Sequence, residues 1–314
     1  MFGAKACLAV ALAMATYMCE PEKENDGNQC QTSTNNQPDG GLQCGVEYDV
    51  SDHNGGPGRF AGKVIQYVHI NAAGLVETDA ISELLFIAEY DVPNLSVRVQ
   101  LCRLEIPAVQ VPGQPEPTSF QFLDGFFDNL GAVDVAMHKE GTTTCSRLGF
   151  DPAITLFGVR LTDEFNDQLP IDVATQSCPD GGANPNQPAC IYDMDADGMP
   201  GVTLIASNLP GIDVKEAYMV IRSWTGTDAI VASDDLILGQ ANWGLEQLVI
   251  GCSIIPMGQT VMRVCNNDER DVARNVNPVL GQVTNKPGDY MGVRITVDYD
   301  CDRVIAEEDE LFGR

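Results

Sequence analysis

The chain is short of positive charge. Lys and Arg total 18 against 45 Asp and Glu, a formal net charge of −27. A nucleic-acid groove or an anionic lipid surface repels such a chain, so both are disfavoured as partners. Histidine is scarce too: His53, His69 and His138 are the only three. None lies in an H-E-x-x-H pattern and no pair has ligand spacing, so each is read as an ordinary exposed residue. The sequence has no G-x-S-x-G elbow, no Walker loop and no dinucleotide fingerprint, which removes the signals for an α/β hydrolase or a nucleotide enzyme. Gly251-Cys252-Ser253 is too short to be an elbow. No apolar run is long enough for a membrane-spanning helix. With 45 acids a chance carboxylate pair is inevitable, so no glycosidase pair is nominated. Of the two tryptophans, Trp224 ends an apolar run, and both it and Trp243 are read as strand residues rather than sugar platforms.

What is present points to export. Hydrophobic residues make up 44% of 314, enough for a sizeable core. Lys5, the apolar run Ala6 to Leu12 and Ala13-Met14-Ala15 read as a signal peptide over residues 1–15. The rival reading ends the signal at 18 and makes Cys19 a lipid anchor. Residues 16–45 are polar, rich in Asn, Gln, Asp and Gly, and read as a tether. Eleven cysteines, ten without Cys7 of the signal, suit a disulfide-stapled protein of the periplasm, cell surface or extracellular space. The expected bridges are Cys30–Cys44 and Cys178–Cys190, each closing a short Pro/Gly-rich loop, then the local pair Cys252–Cys265, then Cys102–Cys145. Cys301 is left to Cys19 or to remain free.

Alternation of apolar and polar residues predicts strands at Lys63–Ile70, Leu95–Val111, Ala153–Leu161, Gly201–Ser207, Ala217–Trp224, Asp228–Leu238, Leu245–Ile255 and Tyr290–Tyr299. Thr78–Tyr90 fits a strand through Leu84, Phe86, Ala88 and Tyr90, or a helix through Ile81, Leu84, Leu85 and Ala88; it is assigned as a strand like its neighbours. The fold class is therefore all-β and antiparallel, in two related halves, 46–175 and 176–314. They form either two sandwich- or barrel-like units, or one barrel or sandwich built from both. The relation rests on Asp-x-(Asp/Asn)-Gly-x-Pro-Gly, which occurs at Asp52–Gly58 and again at Asp195–Gly201, and on cysteines in the same order at a near-constant offset.

The second copy carries the strongest chemical signal. Asp193, Asp195 and Asp197 alternate ahead of Gly198, the front half of a calcium loop. Hard Ca²⁺ takes six to eight oxygens; three carboxylates and the Met199 carbonyl begin that shell. Gly201 and Leu204 stand where an EF-hand has its last ligands, and strand sequence follows, so this is not an EF-hand. Asp234 and Asp235 are further acids with no assigned place. The first copy has Val50 at its leading position and reads as a simple turn.

The string Asp195-x-Asp197-Gly198-x-Pro200-Gly201-Val202-Thr203, with Leu245–Gly251 after it, resembles uncharacterised exported proteins of myxobacteria and their relatives. The resemblance covers roughly the second half through short strings. It implies a cell-envelope or secreted location and lends no activity. The expectation is an exported envelope or extracellular protein, structural or binding in type, more non-enzyme than enzyme. The alternative is a secreted carbohydrate hydrolase with an unidentified carboxylate pair. Ligand and protein partner are not readable.

Overall fold

The computed structural model describes residues 44–51, 57–72, 76–179, 186–209, 213–256, 261–277 and 279–313. The expected signal, the Cys19 anchor, Cys30, most of the tether, Asp52 and His53 lie outside these residues.

Fourteen strands dominate: β1 (Gly58–Ala72), β2 (Val76–Asp91), β3 (Ser96–Leu104), β4 (Ser119–Phe122), β5 (Val133–Lys139), β6 (Arg147–Phe157), β7 (Val159–Leu161), β8 (Ala189–Ile191), β9 (Val202–Ser207), β10 (Val214–Ser233), β11 (Leu236–Ile254), β12 (Arg263–Val264), β13 (Val279–Gln282) and β14 (Gly288–Arg294). Four short helices accompany them: α1 (Val173–Gln176), α2 (Asn267–Val276), α3 (Cys301–Ala306) and α4 (Glu308–Phe312). The fold is all-β and antiparallel. Strands β1, β2, β3, β5, β6, β10, β11 and β14 pair in that order, and β14 returns to β1, closing a ring. Every ring neighbour is the next ring strand in the chain, so this is an up-and-down barrel. It draws five strands from residues 46–175 and three from 176–314: one barrel built from both halves.

Why these residues form a barrel is visible in the alternation. Even-numbered positions of β1 and β2 point inward: Phe60 and Val64, then Leu84, Phe86, Ala88 and Tyr90. With Val97, Met137, Leu148, Phe150, Ile237 and Tyr290 they form one buried cluster. An eight-stranded barrel is just wide enough for side chains to fill, and aromatic rings fill this one. Phe86 stacks on Tyr290 at 5.9 Å and meets Phe150 edge-on at 6.1 Å. Gly62 is required where the Phe86 ring lies on β1, because a Cβ there would sit 2.4 Å from that ring. A buried polar contact in this core joins the Tyr90 and Tyr290 hydroxyls, 3.0 Å apart. Charged residues face outward, as in the pairs Arg59–Glu89 and Arg147–Asp228. An apolar interior with a charged wall is the reverse of a membrane barrel's pattern. No helix among the described residues is long and apolar enough to cross a membrane.

The two ends of the barrel differ. At the floor, residues 44–51 run across the opening and insert Tyr48 and Val50 into the main core. At the top, β10 and β11 continue past the ring and carry β9, β4 and β12 as an open sheet. That sheet has its own core, with Phe120, Phe157, Leu204, Met219 and Val249, closed by Ala273 of α2. The outer face of β1–β3 is covered by α3 and α4 through Leu85, Ile87, Val304 and Phe312. Beside it, Glu308 is buried and ion-paired to Lys63 at 2.5 Å and to Arg103 at 2.5 Å.

Among the described residues four bridges tie this together: Cys44–Cys145, Cys102–Cys301, Cys178–Cys190 and Cys252–Cys265. The last two are the local pairs expected from spacing. The expected Cys30–Cys44 and Cys102–Cys145 bridges are corrected. Cys44 and Cys145 pair with each other because the N-terminal segment crosses the floor beside the β5–β6 turn. Cys102 meets Cys301 because α3 folds back onto β3. Neither approach follows from distance along the chain.

Several element boundaries also differ from expectation. The strand expected at Asp228–Leu238 runs through the turn between β10 and β11 at Asp234-Asp235. The break expected between Trp224 and Asp228 is absent. Gly226 keeps β10 continuous where it bulges against β6, with its Cβ position 3.2 Å from the Pro152 nitrogen. The strand expected to reach Val111 stops at Leu104, and that expected to reach Tyr299 stops at Arg294.

Candidate metal centre

The acidic loop lies between β8 and β9, on the open sheet above the barrel. Its ends are pinned by backbone bonds. The Gly201 amide donates to the Tyr192 carbonyl at 3.0 Å and the Met194 amide to the Gly201 carbonyl at 3.0 Å, while the Tyr192 amide reaches the Gly158 carbonyl at 3.1 Å. Gly201 has φ +88°, and a Cβ there would lie 2.3 Å from the Met219 carbonyl oxygen. Only glycine lets the loop close this tightly on β10. Ala196 and Gly198, at φ 58° and 88°, make the reversals that turn alternate carboxylates to one side.

Asp193, Asp195 and Asp197 converge: one ligand oxygen of each lies within 4.8 Å of the others. The loop fixes all three. The Gly198 amide donates to Asp193 Oδ2 at 2.9 Å and the Met199 amide to Asp197 Oδ1 at 2.7 Å. Thr203, at the start of β9, donates its amide to Asp195 Oδ2 at 2.7 Å and its hydroxyl to Asp197 Oδ2 at 2.6 Å. Asp195 Oδ1 is different. It is buried and has no hydrogen-bond donor. Burial, and next to it the charges of Asp197 and Asp193, hold the Asp195 carboxyl above its ordinary range against the pull of the Thr203 amide. One oxygen of each carboxylate lies close to the other two, and Asp195 has an oxygen without the partner that a buried carboxylate needs. That arrangement suits a hard cation with oxygen ligands.

Thr203 is the residue that sequence reasoning missed. It was visible as part of the Gly-Val-Thr string, yet only the fold turns its amide and hydroxyl toward two carboxylates. Met199 belongs to the same turn through its amide. Asp234 and Asp235 are not brought to the loop. They lie at the floor end of β10, where Asp234 Oδ1 accepts from the Asp49 amide at 3.0 Å and Asp235 pairs with Arg294 at 3.1 Å.

The other residues considered fall elsewhere. His69 is exposed between Asp79 and Glu77, at 2.9 and 3.3 Å, which raises its pKa, the Asp79 hydrogen bond most. His138 lies 3.8 Å from Asp151. Trp243 is buried near the barrel top with Val68, Ile70 and Leu280. Trp224 is half-buried, its indole against Gly244. A cavity of about 30 Å³ at the barrel mouth is lined by Leu84, Phe86, Val99, Thr155, Ser223 and Thr225 among others, with no carboxylate. It has room for a water molecule or two, not for a sugar.

The chain therefore defines an all-β, disulfide-bridged barrel carrying a three-carboxylate loop. It matches no protein-family model, no curated protein and no solved structure.

Proposed function

We propose that this is an exported envelope or extracellular protein, structural or binding in type, whose Asp193–Asp195–Asp197 loop takes one Ca²⁺, with the Met199 carbonyl as a further ligand. The observation that carries the metal is the buried, donor-free Asp195 Oδ1 among three converging carboxylates. Four disulfides suit an oxidising compartment, and the resemblance to exported myxobacterial proteins agrees with it. A barrel interior filled by aromatic rings supports a scaffold over an enzyme. The carbohydrate-hydrolase alternative needs two carboxylates across a cleft, and the mouth cavity offers none.

The expected duplication keeps one local support, although the halves give unequal numbers of ring strands and their bridges do not correspond. Pro57-Gly58 leads into β1 and Pro200-Gly201 into β9, and each opens an antiparallel meander, β1–β2–β3 and β9–β10–β11.

The loop has no bidentate Glu, so binding is weak, with a dissociation constant on the order of 10⁻⁴–10⁻³ M, the range of extracellular modules. At ten times that concentration of free calcium, mass action adds roughly 1.4 kcal/mol of stability. Thermal melts with calcium and with chelator test this. Wild type should shift by a few degrees. Asp195→Ala should abolish the shift, Asp52→Ala should keep it, and Mg²⁺ should substitute poorly. No shift in wild type up to tens of millimolar calcium would reduce the loop to an acidic turn.

A further inference from the structure

The four bridges are unequal in access. Cys102, Cys190, Cys252 and Cys301 are buried, and Cys178, Cys265 and Cys145 are half-buried. Cys44 alone among the bridged cysteines is exposed. Thiol–disulfide exchange requires a thiolate to reach a sulfur, so access orders the bridges.

What Cys44 holds is the floor of the barrel. Behind it, the Gly45 amide donates to the Thr144 carbonyl, the Thr144 amide to the Val46 carbonyl and the Tyr48 amide to the Thr142 carbonyl. Arg294 grips the Asp49 and Ser51 carbonyls at 2.5 and 2.9 Å. These ties place Tyr48 and Val50 against the core. They also leave a flaw: the Tyr48 hydroxyl is buried without a hydrogen-bond partner, a cost that falls on the plugged state alone. Local segments with few buried contacts open independently of a core, and residues 44–51 contribute two buried apolar side chains to a cluster that spans every ring strand.

We propose that Cys44–Cys145 is a thiol-exchangeable lock on this plug. Its reduction, selective among the four bridges, lets residues 44–51 leave the floor while the barrel stays folded. The reductant is a dithiol. One thiolate attacks Cys44 Sγ, the S–S bond breaks, and Cys145 leaves as a thiolate that takes up a proton. The second thiol of the reductant then closes its own disulfide and frees the Cys44 thiol. Two electrons and two protons pass to the protein. The opened floor withdraws Tyr48 and Val50 from the main core.

The test uses the full chain under graded dithiothreitol, with alkylation mapping and hydrogen exchange. Cys44 and Cys145 should be alkylated about tenfold faster than the other six. Exchange at residues 46–51 should then rise about tenfold or more, with residues 84–90 still protected. Tyr48→Phe removes the unpaired hydroxyl, so in the reduced protein its 46–51 exchange should be several-fold slower than wild type. A Cys44→Ser, Cys145→Ser double variant should exchange like the reduced protein without reductant. Earlier reduction of another bridge overturns the proposal. So does unchanged exchange at 46–51, or loss of protection at 84–90 together with it, which would make the bridge a general staple.

Discussion

Inside the barrel, two buried tyrosine hydroxyls face each other and satisfy each other. In the acidic loop, three carboxylates face each other and cannot. Both places are tightly packed and both bury polar oxygen. Burial pushes the Tyr90 phenol well above its usual range and Tyr290 to about 12, so both stay neutral across ordinary pH and their contact costs little. The Asp loop gives each carboxylate one backbone donor and Asp197 a second from the Thr203 hydroxyl, yet leaves the buried Asp195 Oδ1 without one. The contrast separates a site finished by its own side chains from one that is complete only with something added.

The largest effect that sharpens this contrast is in the barrel. Phe86→Ala removes a ring that is 1% exposed and packed on Tyr290, Phe150 and Gly62. The expected loss is about 3–5 kcal/mol in denaturant unfolding. Calcium affinity, measured by titration, should not move. A loss under about 1 kcal/mol would mean that the ring interior is not the core.

Asp195→Asn should act in the other direction. In chelator it removes one of three mutually repelling charges, and stability should rise by about 1 kcal/mol or less, since solvent screens part of the repulsion. The pH dependence has a definite sign. The folded Asp195 carboxyl holds its proton more tightly than the unfolded one, whose value is 3.8. Metal-free wild type should therefore be favoured by this group at low pH and lose that contribution as pH rises above 3.8 through the folded pKa. Other carboxylates slope the opposite way: Glu308, held low by Lys63 and Arg103 despite burial, stabilises above 4.5 and fails as pH falls. Subtracting the Asn variant from wild type in melts between pH 3 and 6 isolates the loop. A flat difference would show that neither burial nor the neighbouring carboxylates act on Asp195.

The smallest effect belongs to an acid that already has its partner. Glu246 pairs with Arg222 on the barrel wall, and Arg222 also donates to the Glu164, Phe165 and Asp167 carbonyls. Glu246→Gln leaves those three acceptors in place and should cost under about 1 kcal/mol in the same unfolding assay. A larger loss would place the wall charges, not the loop, at the centre of the protein's electrostatics.

Much of the barrel was legible as local alternation. Leu84, Phe86, Ala88 and Tyr90 read as one face of a strand, and they are one face of β2. Ring closure was not legible, because it depends on Phe60 finding Arg294 and Val64 finding Tyr290, pairings that no local pattern encodes. The helices were overlooked although one carried its signature. Asn266 and Glu269 form a capping box at the start of α2, the spacing that marks a helix N-terminus. In the site, the three carboxylates and the turn glycine were readable from spacing. The donors that orient them were not, because Thr203 reaches the loop only after β9 docks on β10.

The β14–β1 seam bears on how the protein is made. A chain that enters a compartment from its N-terminus delivers β1, β2 and β3 early, and these can pair at once. The far edge of β1 must wait for residues near 290, more than two hundred positions later. Through that interval an apolar, hydrogen-bond-hungry edge stands open to other chains, the condition that favours intermolecular pairing. Loop-closure entropy over such a span also makes the final seam slow. The seam sets a kinetic hazard: yield should fall with protein concentration during refolding, and a chaperone that shields one strand edge would relieve it.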